Sequence, residues 1–216
     1  SFNGSYAEYA LLPVSNVFSV ETDLDWISLA AIPETYFTAY GSLFEGLLLN
    51  ANDTLLIRGA TSTVGQAAIQ LAKAVGATVI AAARSNSSFE KLQTTGADHC
   101  VIDDEQISKQ KLPVTPNKIL ELVGPKTLHV SLLTVSKPGY VCNTGVLGNV
   151  FAVQKFDPIK YIPNGVFLTG FFSNYPTAEA INGIFRLISE NNIKPLYSRV
   201  FPLNDIAQAH TLLEHG

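Results

Sequence analysis

The chain contains no methionine and only two cysteines among its 216 residues, and charged residues make up just 15% of it. Lys and Arg total 14 and Asp and Glu total 18, which gives a net charge of −4. Hydrophobic residues reach 47%, so the composition excludes an intrinsically disordered chain. Because no cluster of basic residues is present, the sequence also argues against a nucleic-acid partner.

Long apolar runs are absent as well, since no stretch approaches the roughly 18 apolar residues that a membrane helix needs. The first ten residues, SFNGSYAEYA, lack the basic and apolar regions of a signal peptide. We therefore expect no membrane partner and a cytoplasmic location. Because methionine is missing, we expect Ser1 to be a truncation point in a longer chain rather than the natural N-terminus.

The two cysteines, Cys100 and Cys142, lie in separate apolar stretches and form no CxxC pair. We expect two buried, reduced thiols, as is usual inside a cell. Four scattered histidines and two separated cysteines supply no zinc cage, so we expect no metal site.

Short apolar runs alternate with segments of helical periodicity along most of the chain. This alternation predicts βαβ units and an α/β fold with a doubly wound parallel sheet, covered on both faces. The expected strands are 55–57, 78–83, 100–102, 119–123, 140–143 and 166–172, and the expected helices are 64–75, 88–95, 126–136, 176–191 and 204–215, the last with Asn204 as N-cap.

The first fifty residues do not follow this alternation. A partly alternating stretch predicts a strand at 6–13, and helical patterns follow at 25–31 and 34–49. The longest stretch without a clear element, 146–163, is a candidate active-site loop.

The turn between the first βα pair reads GATSTVG at residues 59–65. A strand, a turn of small residues and a helix together place free backbone N–H groups where a pyrophosphate can bind. Ser62 replaces the central glycine of the usual motif, and its hydroxyl could donate to phosphate. Gly65 occupies the position that allows close helix–strand packing. The turn alone is also compatible with any α/β protein that binds no nucleotide.

The second expected strand ends at Arg84, roughly 20 residues beyond the turn, where NAD-binding proteins place an acidic residue. An arginine there suits the 2′-phosphate of NADP, with Ser85 and Lys91 as further donors. The alternative is a solvated arginine at a strand end.

The chain resembles the zinc-free quinone oxidoreductase (zeta-crystallin-like) branch of the medium-chain dehydrogenase/reductase superfamily, over nearly its whole length. The resemblance depends on a combination of short motifs, none of which is specific alone. They are GSYAEY at 4–9, AIPET at 31–35, TAY at 38–40, GATSTVG at 59–65, QAAIQLAK at 66–73, GAD at 96–98, LELVG at 120–124, PGYV at 138–141 and FPL at 201–203.

The resemblance implies a Rossmann domain with strand order 3-2-1-4-5-6 and remnants of a GroES-like catalytic domain at both ends. Residues 1–33 would end the catalytic domain, 34–173 would form the Rossmann domain, and 174–216 would return to the catalytic domain. The chain would then be a fragment that lacks the substrate-side tyrosine of these enzymes and that we expect to be inactive on its own. Cys100 and Cys142 would lie four strand spacings apart, about 19 Å, too far for a disulfide.

The resemblance also implies the cofactor contacts. Asp103 falls where relatives place an aromatic residue or histidine beside the adenine, so the family contact is not carried over to it. The implied contacts are Ser62, Thr63 and Val64 with the pyrophosphate, Arg84 and Ser85 with the 2′-phosphate, Gly145, Val146 and Leu147 on the nicotinamide side, Phe171 and Phe172 closing over it, and Thr38 near the nicotinamide or ribose.

The implied activity is zinc-independent hydride transfer from NADPH to a quinone or an α,β-unsaturated carbonyl. Alternatives are an alcohol dehydrogenase-like reductase of other carbonyls, a methyltransferase, and a non-catalytic nucleotide-binding relative. A short-chain dehydrogenase needs Tyr-x-x-x-Lys, and none of the eight tyrosines has a lysine four positions on. Family members also imply a homodimer, joined through the edge strand 166–172.

Overall fold

The computed structural model describes residues 6–104 and 106–215, with the His215 side chain left out. Gly4 and Ser5 of the first motif, and Gly216, lie outside the described residues. Within the described part, no helix has both the length and the apolar character needed to cross a bilayer.

Six parallel strands form one sheet in the order β3-β2-β1-β4-β5-β6. The doubly wound Rossmann arrangement predicted from the sequence is therefore confirmed. The strands are β1 (Thr54–Arg58), β2 (Thr78–Ala83), β3 (His99–Ile102), β4 (Lys118–Glu121), β5 (Gly139–Asn143) and β6 (Val166–Gly170).

Two apolar cores cover the two faces of the sheet, because successive residues of a strand point to opposite sides. Leu55 and Ile57 of β1 pack into one core, with the helices that flank it, and Leu56 packs into the other. The helices are α1 (Trp26–Ala30), α2 (Pro33–Tyr40), α3 (Thr63–Ala74), α4 (Phe89–Thr95), α5 (Leu128–Thr134), α6 (Pro158–Tyr161), α7 (Ala178–Glu190) and α8 (Ile206–His215).

Both cysteines lie on the predicted strands, Cys100 on β3 and Cys142 on β5. Both are free thiols, and Cys142 is buried while Cys100 is half-buried. Two strands separate β3 from β4, and β5 follows β4, so the wide separation expected from the strand order holds.

The strand predicted at 6–13 is wrong. Residues 9–13 have no regular structure, and Leu11 is 97% exposed. Alternation of apolar residues does not form a strand without a neighbouring strand to accept its backbone hydrogen bonds, and the described sheet offers none here.

Several other predicted boundaries change, and the strand predicted at 166–172 ends at Gly170. The helix expected at 34–49 stops at Tyr40 and continues as a π-helical turn, Gly41–Gly46, in which both glycines let neighbouring side chains pack closely. Strand β4 ends at Glu121, and the N–H groups of Val123 and Gly124 donate to the Glu121 carboxylate rather than to a neighbouring strand. Asn204 lies inside a 3₁₀ turn that precedes α8 and is not its N-cap.

The helix α3 approaches β1 very closely at Gly65. A Cβ placed on Gly65 would lie 2.6 Å from the Gly59 carbonyl oxygen and 2.7 Å from Cα of Ala60. Backbone atoms cannot move aside as a flexible side chain can, so this contact needs glycine. The role of Gly65 expected from the sequence agrees with this geometry.

We predict that Gly65→Ala destabilises the protein by about 1–3 kcal/mol, a decrease in Tm of roughly 2–12 °C, because the added methyl overpacks the turn. Thermal unfolding followed by circular dichroism measures this. Gly170→Ala is the matched control, since a Cβ there meets nothing closer than 3.4 Å. Equal Tm values for the two variants would contradict the prediction.

Candidate dinucleotide site

The turn after β1 begins at Gly59, whose φ of +77° favours glycine. Ser62 ends the turn as N-cap of α3, and its hydroxyl accepts from the Gly65 N–H at 3.1 Å. The same hydroxyl donates to the Gly59 carbonyl oxygen at 2.8 Å. Its one proton is therefore used inside the turn, so Ser62 shapes the turn instead of presenting a donor outward.

Two backbone N–H groups remain free at this turn. Those of Thr63 and Val64 have no hydrogen-bond partner among the described residues, because they belong to the first turn of α3. Thr63 is exposed and Val64 is half-buried. Free amides at a helix N-terminus attract anions, so this arrangement can hold a phosphate.

Arg84 and Ser85 follow β2, next to the turn, since β2 pairs with β1. Arg84 is exposed, and its side chain has no ion pair or hydrogen bond within the described part of the chain. The Ser85 hydroxyl accepts from the Ser87 N–H at 3.2 Å and so caps the short turn Asn86–Ser88. The guanidinium is thus available to a ligand, whereas the Ser85 hydroxyl already has a local role.

The segments after β4 and β5 lie against each other and against the turn. A Cβ on Gly145 would overlap the carbonyl oxygen of Leu122, and a Cβ on Gly59 would lie 3.0 Å from Cδ1 of Leu147. Leu147 is 61% exposed and Val146 is 43% exposed. The structure therefore brings Gly145, Val146 and Leu147 to the carboxyl edge of the sheet, where the strand order reverses between β1 and β4.

The two phenylalanines after β6 separate. Phe171 packs against Gly41, and its ring centroid lies 5.6 Å from that of Phe37. Phe172 is 73% exposed. Phe171 is therefore part of the packing between β6 and α2, and Phe172 alone of the pair presents its ring to solvent.

Thr38 is buried on α2, where its hydroxyl donates to Glu34 at 3.3 Å. Its carbonyl oxygen accepts from the Ser42 hydroxyl at 2.7 Å. Since that donation uses the Ser42 proton, the 2.8 Å contact between Ser42 and Thr144 must be a donation from Thr144. This chain of hydroxyls links Thr38 to the residue just before Gly145, and sequence patterns alone did not indicate it.

The chain of hydroxyls extends to a thiol. Cys142 Sγ lies 3.5 Å from the Thr144 hydroxyl, whose own proton goes to Ser42, so the thiol is the donor. Burial raises the pKa of the Cys142 thiol.

The sequence patterns also did not predict a buried arginine. Arg58, the last residue of β1, is 0% exposed, and its Nε donates to both carboxylate oxygens of Asp103 at 3.1 and 3.2 Å. Nη1 donates to the Thr127 carbonyl oxygen and to Ser131 Oγ, each at 3.1 Å, and lies 3.5 Å from Glu121. Asp103 is thus held in an ion pair. The sequence did contain a signal for this buried pair, because Arg58 and Glu121 carry opposite charges at the ends of two neighbouring apolar strands.

Glu121 is 0% exposed and binds four groups. Its Oε1 accepts from the N–H groups of Val123 and Gly124 at 2.8 and 3.0 Å, and its Oε2 accepts from Ser131 and faces Arg58. Burial raises the pKa of Glu121, while the charge of Arg58 and these hydrogen bonds act in the opposite direction.

One buried acceptor has no partner. Oδ1 of Asn143, at the carboxyl end of β5, is buried without a hydrogen bond in the described part of the chain.

A cavity of about 520 Å³ lies elsewhere, between residues 21–24 and α7, and none of the predicted contact residues lines it.

The profile of the zinc-binding dehydrogenase family matches residues 63–190, more than half of the chain. The chain belongs to this family. The predicted resemblance to quinone oxidoreductase-like members of the medium-chain dehydrogenase/reductase superfamily is confirmed.

Relatives in the family are oxidoreductases. The quinone oxidoreductase of Homo sapiens is 28% identical over 223 residues, which covers 100% of this chain and 67% of that protein. A crystal structure of an NAD-dependent alcohol dehydrogenase is 26% identical with a TM-score of 0.81, over 98% of this chain and 62% of the other. The chain therefore spans about two thirds of the length of these family members.

A further solved structure shares the fold alone. The 2-octenoyl-CoA carboxylase reductase CinF, in complex with NADP and 2-octenoyl-CoA, is 22% identical with a TM-score of 0.75. That likeness covers 89% of this chain and 48% of CinF.

The family name refers to zinc, so the fit of the ligands matters. Across residues 6–104 and 106–215, no group of three or more His, Cys, Asp or Glu side chains is placed to hold a metal ion. The described residues therefore do not fit a zinc site.

Proposed function

We propose that the protein is an NADPH-dependent oxidoreductase that transfers a hydride to a quinone or an α,β-unsaturated carbonyl without zinc. One observation carries the proposal: an unpaired guanidinium, Arg84, lies one strand from a turn whose Thr63 and Val64 N–H groups are free. Membership of a dehydrogenase family supports it.

The dinucleotide would bind across the reversal point of the sheet. Thr63 and Val64 would donate backbone N–H groups to the pyrophosphate, with Ser62 holding the turn in shape. Arg84 would pair with the adenosine 2′-phosphate, and Ser85 would lie beside it. Arginine suits this role because its planar fork matches the oxygens of a phosphate.

The nicotinamide would lie at the ends of β5 and β6. Gly145 keeps the backbone there close to Leu122, and Val146 and Leu147 present exposed apolar surface that would exclude water. Phe172 would close over the ring, whereas Phe171 and Thr38 would support the site from α2.

NADPH would supply the hydride, and the protein would orient the cofactor and keep water away. A tyrosine or water would deliver the proton to the oxygen side of the substrate. Within the proposed division, residues 34–173 form the dinucleotide domain, and 1–33 and 174–216 belong to a catalytic domain. We also propose a cytoplasmic location, supported by the two free cysteines.

A reductase of other carbonyls is the second candidate, because the chain is similar to an NAD-dependent alcohol dehydrogenase. Oxidation of NADPH by the full-length protein should be followed by absorbance with a quinone, an enone and a simple aldehyde. Turnover with the quinone or enone supports the proposal, and turnover with the aldehyde alone favours the second candidate. Tight binding of NADPH without turnover by the full-length protein would indicate a non-catalytic relative.

We predict that NADPH binds more tightly than NADH and that Arg84→Ala weakens NADPH binding about tenfold or more, while NADH binding changes little. The reason is the loss of a charge-assisted contact of about 1.5–3 kcal/mol with the 2′-phosphate. Fluorescence titration with both cofactors measures the two Kd values.

Arg186→Ala is the matched control, because Arg186 is an exposed arginine on α7. Equal Kd values for NADPH and NADH in the wild type, or an unchanged preference in Arg84→Ala, would contradict the assignment of Arg84.

We also propose a homodimer joined edge to edge through β6. This strand ends the described sheet, and Phe167 on it is 50% exposed. We predict a mass of about twice 23.3 kDa by light scattering. Phe167→Lys should shift it towards the monomer, because a charge on an edge strand opposes pairing.

Ile159→Lys is the control for this variant, since Ile159 is 89% exposed on α6, outside β6. A monomeric mass for the wild-type protein would contradict the dimer.

A further inference from the structure

The buried side chain of Arg58 extends over one face of the sheet, from β1 across β2 towards β3. Arg58 pairs in register with Ala82 of β2, and Ala82 pairs with Val101 of β3. Asp103 follows Val101 by two positions and so shares its side of the sheet. Two strand spacings, about 10 Å, separate β1 from β3. The small side chain of Ala82 leaves space for Arg58 to span that distance.

The partners of Arg58 come from separate segments of the chain. Asp103 follows β3, Glu121 ends β4, and the Thr127 carbonyl and Ser131 belong to the start of α5. A buried cation needs such partners, because burial without them is strongly unfavourable. The Arg58 side chain thus links the carboxyl ends of β1, β3 and β4 to the start of α5.

Each of these segments adjoins a part of the proposed dinucleotide site. Arg58 directly precedes Gly59, and its carbonyl oxygen accepts from the Leu122 N–H at 3.2 Å. The Asp103 N–H donates to the Ala83 carbonyl oxygen at 2.8 Å, next to Arg84. Glu121 holds the N–H groups that follow β4, in the segment that packs against Gly145.

We propose that Arg58 is a positioning residue of the dinucleotide site: with Asp103 and Glu121 it sets the relative placement of the segments after β1, β2 and β4. The inference rests on the proposed function of that site. Arg58 is fully buried and would not itself contact the cofactor. Its role differs from general stabilisation, because the bonds converge on the loops that would touch the ligand.

Amide hydrogen exchange tests the proposal without any cofactor. In the wild type, the hydrogen-bonded N–H groups of Ala60, Leu122, Val123 and Gly124 should exchange as slowly as those of β1. Exchange more than tenfold faster than in β1 would overturn the proposal before any variant is made.

Arg58→Lys keeps the charge but removes the fork of donors. We expect exchange at these four amides to become at least tenfold faster and the Kd for NADPH to rise at least fivefold. Lys73→Gln is the control, because it removes the half-exposed ion pair of Lys73 with Asp98 and should change both quantities less than twofold. Exchange in Arg58→Lys at the wild-type rate would overturn the proposal.

A charge-free triple variant separates positioning from stability. Arg58→Met with Asp103→Leu and Glu121→Gln should keep a Tm near that of the wild type, because apolar replacement of a buried ion network is often neutral. We expect fast exchange at the four amides and weak NADPH binding to persist nevertheless. Recovery of slow exchange together with Tm would show that Arg58 has only a structural role.

The two proposals fail separately. If the wild type binds neither NADPH nor NADH, the proposed function is wrong, but the exchange rates of Arg58→Lys and of the triple variant still decide whether Arg58 positions the loops. If the wild type binds NADPH and the variants show wild-type exchange and affinity, only the role of Arg58 is wrong.

Discussion

Close contact between backbone segments is the constraint on which this end of the molecule depends. The first turn of α3 lies directly on the turn after β1 because residue 65 has no Cβ, and the segment after β5 lies on the segment after β4 because residue 145 has none. These contacts leave the Thr63 and Val64 N–H groups at the edge of the sheet without covering them. A glycine in each place therefore determines both the packing of the loops and the exposure of the amides.

The sequence allowed prediction of most of the sheet and of its order. Strands such as Thr78–Ala83 are solidly apolar and end at residues with clear helix-starting or turn-forming preferences, so local patterns sufficed. The positions of Cys100 and Cys142 followed from the strand order. The exposure of Arg84 followed from its place at a strand end, where a charged side chain is readily solvated.

Features that depend on distant partners could not be predicted. Arg58 contacts Asp103 and Ser131, which lie 45 and 73 residues further along the chain, and the opposite charges of Arg58 and Glu121 at paired strand ends indicate neither of these two partners. Phe171 and Phe172 are adjacent and identical in type, yet only the Phe171 ring packs against Gly41. The apolar alternation at 6–13 failed for the same reason, since a strand requires a neighbour that the alternation does not supply.

The hydroxyls beside β5 have a consequence for redox chemistry. Because the proton of Thr144 is directed to Ser42, the Cys142 thiol completes the chain only while it keeps its own proton. Formation of a thiolate would turn Thr144 round and break its bond to Ser42, in addition to the cost of burying a negative charge. The thiolate is the form that reacts with oxidants and alkylating agents, so Cys142 is protected chemically as well as by its burial.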